Sequence, residues 1–186
     1  MLISNVINDK IILPTIDNKT HLKDKNMAVG IVQGSNNIAN GLILAGALSG
    51  DGSIVTTLAF WSLGQVALVL GCVLYSAITP YNVLYEIQRG NTAAALGLSG
   101  VLIGLGNIVG FASRGDFISW FHNLSMFAVL FLWGITIMWV FRWVTDKIYL
   151  HKGDLSREIV DDKNVGFGLV EAAAYLAGSI IVTGIS

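Results

Sequence analysis

Five stretches of this chain, residues 27–49, 54–79, 92–112, 117–145 and 165–185, are each apolar for long enough to cross a bilayer as a helix. A hydrocarbon layer of ~30 Å takes about 20 helical residues. Inside that layer every backbone polar group must find its partner within the protein, which leaves helices and closed barrels as the spanning structures. Barrel strands would be runs of about 10 residues of alternating polarity, and these stretches do not alternate. The expected fold class is therefore all-α: a polytopic membrane helix bundle of about five transmembrane helices. Composition agrees, since only 12% of residues are charged against roughly a quarter in a soluble domain.

A net charge of -1 gives no reason to expect a nucleic-acid partner. The single cysteine, Cys72, lies in the second stretch, so an intrachain disulfide and a cysteine-based metal site are excluded. His21, His122 and His151 share no ligand spacing, and no serine, histidine and acid grouping suggests a nucleophile. No metal, no cofactor and no enzymatic activity are expected. Residues 1–26 lack the continuous apolar core of a cleavable signal, so the first span itself is expected to direct insertion.

Orientation follows from lysine and arginine in the connecting segments. Lys10, Lys19, Lys23, Lys25, Arg89, Arg142, Lys147, Lys152, Arg157 and Lys163 fall on one side, against Arg114 alone on the other. The expected location is a bacterial inner (plasma) membrane, with the N-terminus cytoplasmic and the C-terminus outside. Trp120, Trp139 and Trp143 sit at the ends of the fourth span, where amphipathic rings favour the headgroups. Trp61 and Trp133 lie deeper and read as packing residues.

Three of the five spans are entered the same way: a short polar stretch, an asparagine, then a run rich in small residues. The stretches are "THLKDK", "VLYEIQRG" and "SREIVDDK", leading to Asn26, Asn91 and Asn164. The asparagines stand 65 and 73 residues apart and are expected to cap the helices that follow, each side-chain oxygen accepting from a free backbone N–H. Glu86-Ile87 and Glu158-Ile159 recur before the second and third, the latter one residue further from its asparagine. The second and fourth residues after each asparagine are small: Ala28 and Gly30, Ala93 and Ala95, Gly166 and Gly168. Ala93, Gly97, Gly100 and Gly104 share one helical face, the kind that lets helices approach closely in lipid. The second and fourth spans are bulkier and more aromatic, as lipid-facing helices are. These features divide the chain into a cytoplasmic segment 1–26, a first hairpin 27–79, a second hairpin with an interfacial segment 80–145, a cytoplasmic loop 146–164 and a terminal half repeat 165–186.

From about residue 54 onward the chain resembles the bacterial inner-membrane family of unknown function typified by YjfL, the domain-of-unknown-function family numbered three-fifty. The resemblance rests on "YSAITPYNVLYEIQRGNTAAALGLSGVLIG" and, more weakly, on "LSREIVDDKNVGFGLVEAAAYLAG". It implies a plasma-membrane location and an indirect link to envelope stress, and it supplies no catalytic motif. Members usually have four helices, so residues 1–50 look like an added repeat copy.

Polar groups inside the spans are where function is sought. Gln33, Asn36, Asn37 and Asn40 fall within an arc of about 100° on the first span. Glu171 lies seven residues after Asn164, the register of Gln33 after Asn26, with Tyr175 on its face. Amides between membrane helices commonly act as interhelical glue, while an intramembrane carboxylate marks a functional site by default. The leading reading is an oligomeric path for ions or small polar solutes, lined by Gln33, Asn36, Asn37, Asn40, Glu171 and Tyr175, in a homo-oligomer. The alternative is a membrane scaffold that docks a cytoplasmic envelope-stress partner.

Overall fold

A computed structural model describes residues 18–50, 52–149 and 155–185. Residues 1–17 of the N-terminal segment, and with them Lys10, lie outside the described residues, as do His151 and Lys152. The described elements are α1 (Asn18–Lys23), α2 (Met27–Ala47), α3 (Ile54–Ile78), α4 (Val83–Gln88), α5 (Thr92–Ala112), α6 (Trp120–Tyr149), a π-helical turn (Arg157–Asp161) and α7 (Val165–Ile185). The chain is an all-α polytopic bundle. Among the described residues α3, α5, α6 and α7 are long and apolar enough to span a membrane. At 21 residues α2 is as long as α5; its four amides make it the more polar of the two.

Small residues decide how these helices are arranged. In lipid no hydrophobic drive pulls apolar helices together, so close backbone packing has to supply the attraction. α2, α5 and α7 lie side by side and parallel, with α5 in the middle. Asn26 at the start of α2 meets the carbonyls just before α5, and Gly46 near its end meets Gly110 near the end of α5. Gly168 at the start of α7 meets Ala93, and Thr183 near its end accepts a hydrogen bond from Asn107 at 3.3 Å. The α7 side of α5 is formed by Gly97, Gly100 and Gly104, the α2 side by Gly106 and Gly110. Gly104 and Gly106 point about 200° apart around the helix, so the two neighbours occupy opposite faces of α5.

α3 and α6 run antiparallel to this row on its outside. They bury Phe60, Leu68, Phe127 and Met138 and expose Leu58, Val66, Leu132 and Trp139 to the surroundings. Trp133 is 53% exposed, not a packing residue: it lies on the outer face of α6, away from α5.

The three entries into the inner helices are built alike. Lys25, Gly90 and Lys163, each just before the asparagine, have φ of 60°, 80° and 48°. This left-handed residue turns the chain sharply from the short segment into the helix. Asn26, Asn91 and Asn164 then accept from backbone N–H groups of the first turn through Oδ1. The asparagine N–H reaches back to His21 O and Glu86 O in the first two copies, five residues away, but to Glu158 O, six residues away, in the third. That extra residue is accommodated as the π-helical turn, the usual result of inserting one residue into a helical segment.

The first two amide nitrogens tie the copies to each other, and the third stays within its own. Asn26 Nδ2 donates to Ile87 O and Gln88 O at 3.3 and 3.0 Å. Asn91 Nδ2 donates to Glu86 Oε2 at 2.8 Å and to Ile159 O at 2.7 Å, and Asn164 Nδ2 to Glu158 Oε2 at 2.8 Å. Asn91 is buried where Asn164 is exposed. Asn91→Ala is therefore expected to cost about 2 kcal/mol or more, a full cap plus the orphaned Glu86 carboxylate, and Asn164→Ala about 1 kcal/mol or less. Thermal unfolding of the two variants in detergent checks the ranking.

Candidate functional site

Glu171 is the most deeply buried charged group among the described residues, at 0% exposure. It sits two turns into α7, facing Gly97 of α5, where the missing side chain leaves room for its carboxylate. A Cβ on Gly97 would lie 2.7 Å from Glu171 Oε2 and 2.5 Å from the Tyr75 hydroxyl. Three helices supply partners to Glu171 Oε1. Tyr75 of α3 and Tyr175 of α7 donate from their hydroxyls, each at 3.4 Å. Arg142 of α6 brings Nε to 3.7 Å.

Arg142 is itself held on several sides. Its Nε lies 3.7 Å from Asp146 Oδ2, one turn on. Nη1 donates to Thr79 Oγ1 at 3.1 Å, and the guanidinium stands 5.4 Å from the centre of the Tyr75 ring. Tyr75 and Tyr175 meet edge to face, their ring centres 6.0 Å apart. Among the described residues the partners of Glu171 thus all converge on Oε1, and Oε2 is buried with no hydrogen-bond partner. Tyr81, in the turn after α3 and outside the spans, has its hydroxyl pushed above the usual tyrosine range by burial, with the charge of Glu171 adding to the shift.

From Glu171 a polar line continues up α7. Tyr175, Ser179 and Thr183 follow at four-residue intervals on the side facing α5, and Asn107 Nδ2 of α5 donates to Ser179 Oγ at 3.4 Å and to Thr183 Oγ1 at 3.3 Å. Glu171 to Thr183 spans about 18 Å along the helix, more than half the hydrocarbon thickness. Beside the lower part of this line an apolar cavity of about 250 Å³ lies between α3 and α6, walled by Leu74, Tyr75, Leu105, Trp139 and Tyr175. Among the described residues no three histidine, cysteine, aspartate or glutamate side chains gather closely enough to hold a metal ion.

The structure does not bring the four amides of α2 to Glu171. They stand on the far side of α5, so one path lined by Gln33, Asn36, Asn37, Asn40, Glu171 and Tyr175 is not formed within the chain. Asn36 and Asn40 are buried and bonded to each other, Asn40 Nδ2 donating to Asn36 O at 2.9 Å and Oδ1 at 3.2 Å. Gln33 and Asn37 are half-buried on the outer side of α2.

The charge pattern counts Arg142 with the cytoplasmic side although the span 117–145 contains it, and the structure places it inside α6, paired with Glu171. The signal was present: the apolar run continues through Trp143 and Val144, and an arginine within a span needs a carboxylate. Ser179, Thr183 and Asn107 also escaped, although the spacing Glu171, Tyr175, Ser179, Thr183 is helical and legible.

The family model described as Domain of Unknown Function (DUF350) matches residues 1–59 and again residues 51–185. A UPF0719 transmembrane protein of Aquifex aeolicus is 26% identical over 97% of this chain and 69% of its own length. The UPF0719 inner membrane protein YjfL of Escherichia coli K12 is 29% identical over 69% of this chain and 90% of its own length. No solved structure matches the chain significantly.

Proposed function

The chain belongs to the DUF350 family of uncharacterised function and is an integral membrane protein, and from that premise we propose that it moves protons across an inner membrane along the seam between α5 and α7. The observation that carries this reading is the polar line from Glu171 through Tyr175 and Ser179 to Thr183, packed between helices and not open as a pore. A proton needs hydrogen-bonding groups at intervals that bound water can bridge, whereas a hydrated ion needs a channel. Glu171 is the exchange group in this reading, since Oε2 has no hydrogen-bond partner and is free to take a proton, and Arg142 is its counter-charge. The asparagine-capped end faces the cytoplasm in this reading, as the nine lysines and arginines other than Arg142 on that side favour. The amides of α2 are outside this route.

The test is proton flux into sealed liposomes carrying purified full-length protein, followed with an entrapped pH-sensitive dye. Wild type is expected to dissipate an imposed gradient faster than empty liposomes, and Glu171→Gln to fall back to their rate. Equal rates for wild type and Glu171→Gln remove the proposal.

A second reading, a scaffold docking a cytoplasmic envelope-stress partner, has one observation in its favour. α4 and the π-helical turn are laced to the helix caps, so they present a fixed surface, with Arg157, Asp161, Asp162 and Lys163 exposed on the latter. Under this reading charge substitutions at those four residues abolish partner capture while Glu171→Gln leaves it intact.

A further inference from the structure

Two interfaces within the chain repeat in the same register. α2 offers a leading face to α5, with Leu42 O against Gly110, where a Cβ would come within 2.5 Å. Moving both residues on by one unit, from the first asparagine to the second and from the second to the third, gives Asn107 and Thr183, the pair that bonds α5 to α7 at 3.3 Å. Each inner helix thus has a leading face, which meets the next helix, and a receiving face, which meets the one before.

The row has two ends, and each leaves one such face open. The leading face of α7, counted on from Ala93, Gly97, Gly100 and Gly104, is Gly166, Val170, Ala173 and Ala177. Gly166 and Ala173 are exposed, and Val170 and Ala177 are half-buried. The receiving face of α2, counted back from Gly168, Ala172, Tyr175 and Ser179, is Gly30, Gly34, Asn37 and Gly41. A Cβ on Gly34 or Gly41 would meet nothing within 4 Å, whereas at Gly106 and Gly110 it would strike the neighbouring helix.

We propose that copies of this chain join head to tail, the open face of α7 in one copy packing on the open face of α2 in the next, so that the row of parallel inner helices runs on from chain to chain. The two faces are different surfaces, so the contact is heterologous and generates a ring or a filament, not an isolated pair. Both copies have the same orientation in the membrane, as parallel inner helices require. Asn37, the counterpart of Tyr175, is half-buried on this face, and an amide side chain that lipid tails would otherwise surround is costly; a second copy packed here covers it. The assembly does not depend on proton movement and is read by a different experiment.

Cysteine cross-linking of full-length protein in its membrane tests it, in a Cys72→Ala background. Gly34→Cys and Ala173→Cys are the counterparts of Ala172 and Gly100, where a Cβ on Gly100 would lie 2.5 Å from Ala172 Cα. Such a pair stands slightly closer than the usual disulfide span, so the two helices need part only a little for the bond to close. Both positions are open within the chain, so neither substitution disturbs its fold. Oxidation of the double variant is expected to give a reducible ladder of dimers, trimers and larger species that neither single variant shows. No more cross-linking than in the single variants overturns the proposal and leaves lipid on these faces. A dimer formed by Gly34→Cys alone, with no ladder in the double variant, overturns it in favour of α2 packing on α2. A ladder of equal strength from Gly34→Cys with Val66→Cys, on the outer face of α3, shows random collision and overturns it as well.

Discussion

Replacing Arg142 with methionine will destabilise the bundle by about 3–5 kcal/mol, because it leaves a buried carboxylate without its counter-charge. Glu171 is fully buried, and the tyrosine hydroxyls at 3.4 Å are long partners that do not replace a guanidinium. Methionine keeps much of the arginine's length and fills the same space, so the loss reports charge and not a cavity. The double variant Arg142→Met with Glu171→Gln is expected to recover most of the stability, since removing both charges of a buried pair is often close to neutral. Thermal unfolding of the four proteins in one detergent closes the cycle. A double variant as unstable as Arg142→Met alone would mean that Arg142 acts through Thr79 and the Tyr75 ring and not through Glu171.

Gly100→Leu will force the α5–α7 seam apart, with an expected loss of about 3 kcal/mol or more, at the top of the range for overpacking. A Cβ there would lie 2.5 Å from Ala172 Cα and 2.9 Å from Ala172 O. Both atoms are backbone, so no rotamer change relieves the clash and the helices must part. Separation would also draw Glu171 away from Gly97 and loosen Asn107 from Ser179 and Thr183. Gly41→Ala is the control: its Cβ meets nothing within 4 Å, and its unfolding midpoint in detergent should match wild type. Equal loss in both variants would show helix propensity at work instead of contact across the seam.

The difference between these two glycines shows how far the sequence could be read. Ala93, Gly97, Gly100 and Gly104 are visibly one face, because helical periodicity is a local property. Gly34 and Gly41 look no different in the sequence. Which small face is filled depends on which helix comes alongside, and that is set by packing over long separations. The same limit explains the polar residues. Gln33 and Glu171 share a register after their asparagines, which invites a common role, yet they end on opposite sides of α5. Conversely Arg142 and Glu171, which no local spacing relates, are brought together because α6 folds back across the seam.

Legible in the residues alone are the class and the local grammar of the chain: helices, because lipid leaves the backbone no other open-chain solution; their approximate spans, because apolar length is visible; and their starts, because an asparagine satisfies the free N–H groups of a first turn. The relation to the DUF350 family was legible for the same reason, since the cap and the small residues after it are a contiguous pattern. Which charges are paired, that the extra residue before Asn164 becomes a π-helical turn, and which faces of α2 and α7 remain open are settled by the folded bundle. Those outcomes depend on where separate helices meet in space, and small residues permit many meetings of nearly equal energy until the whole row of helices selects one.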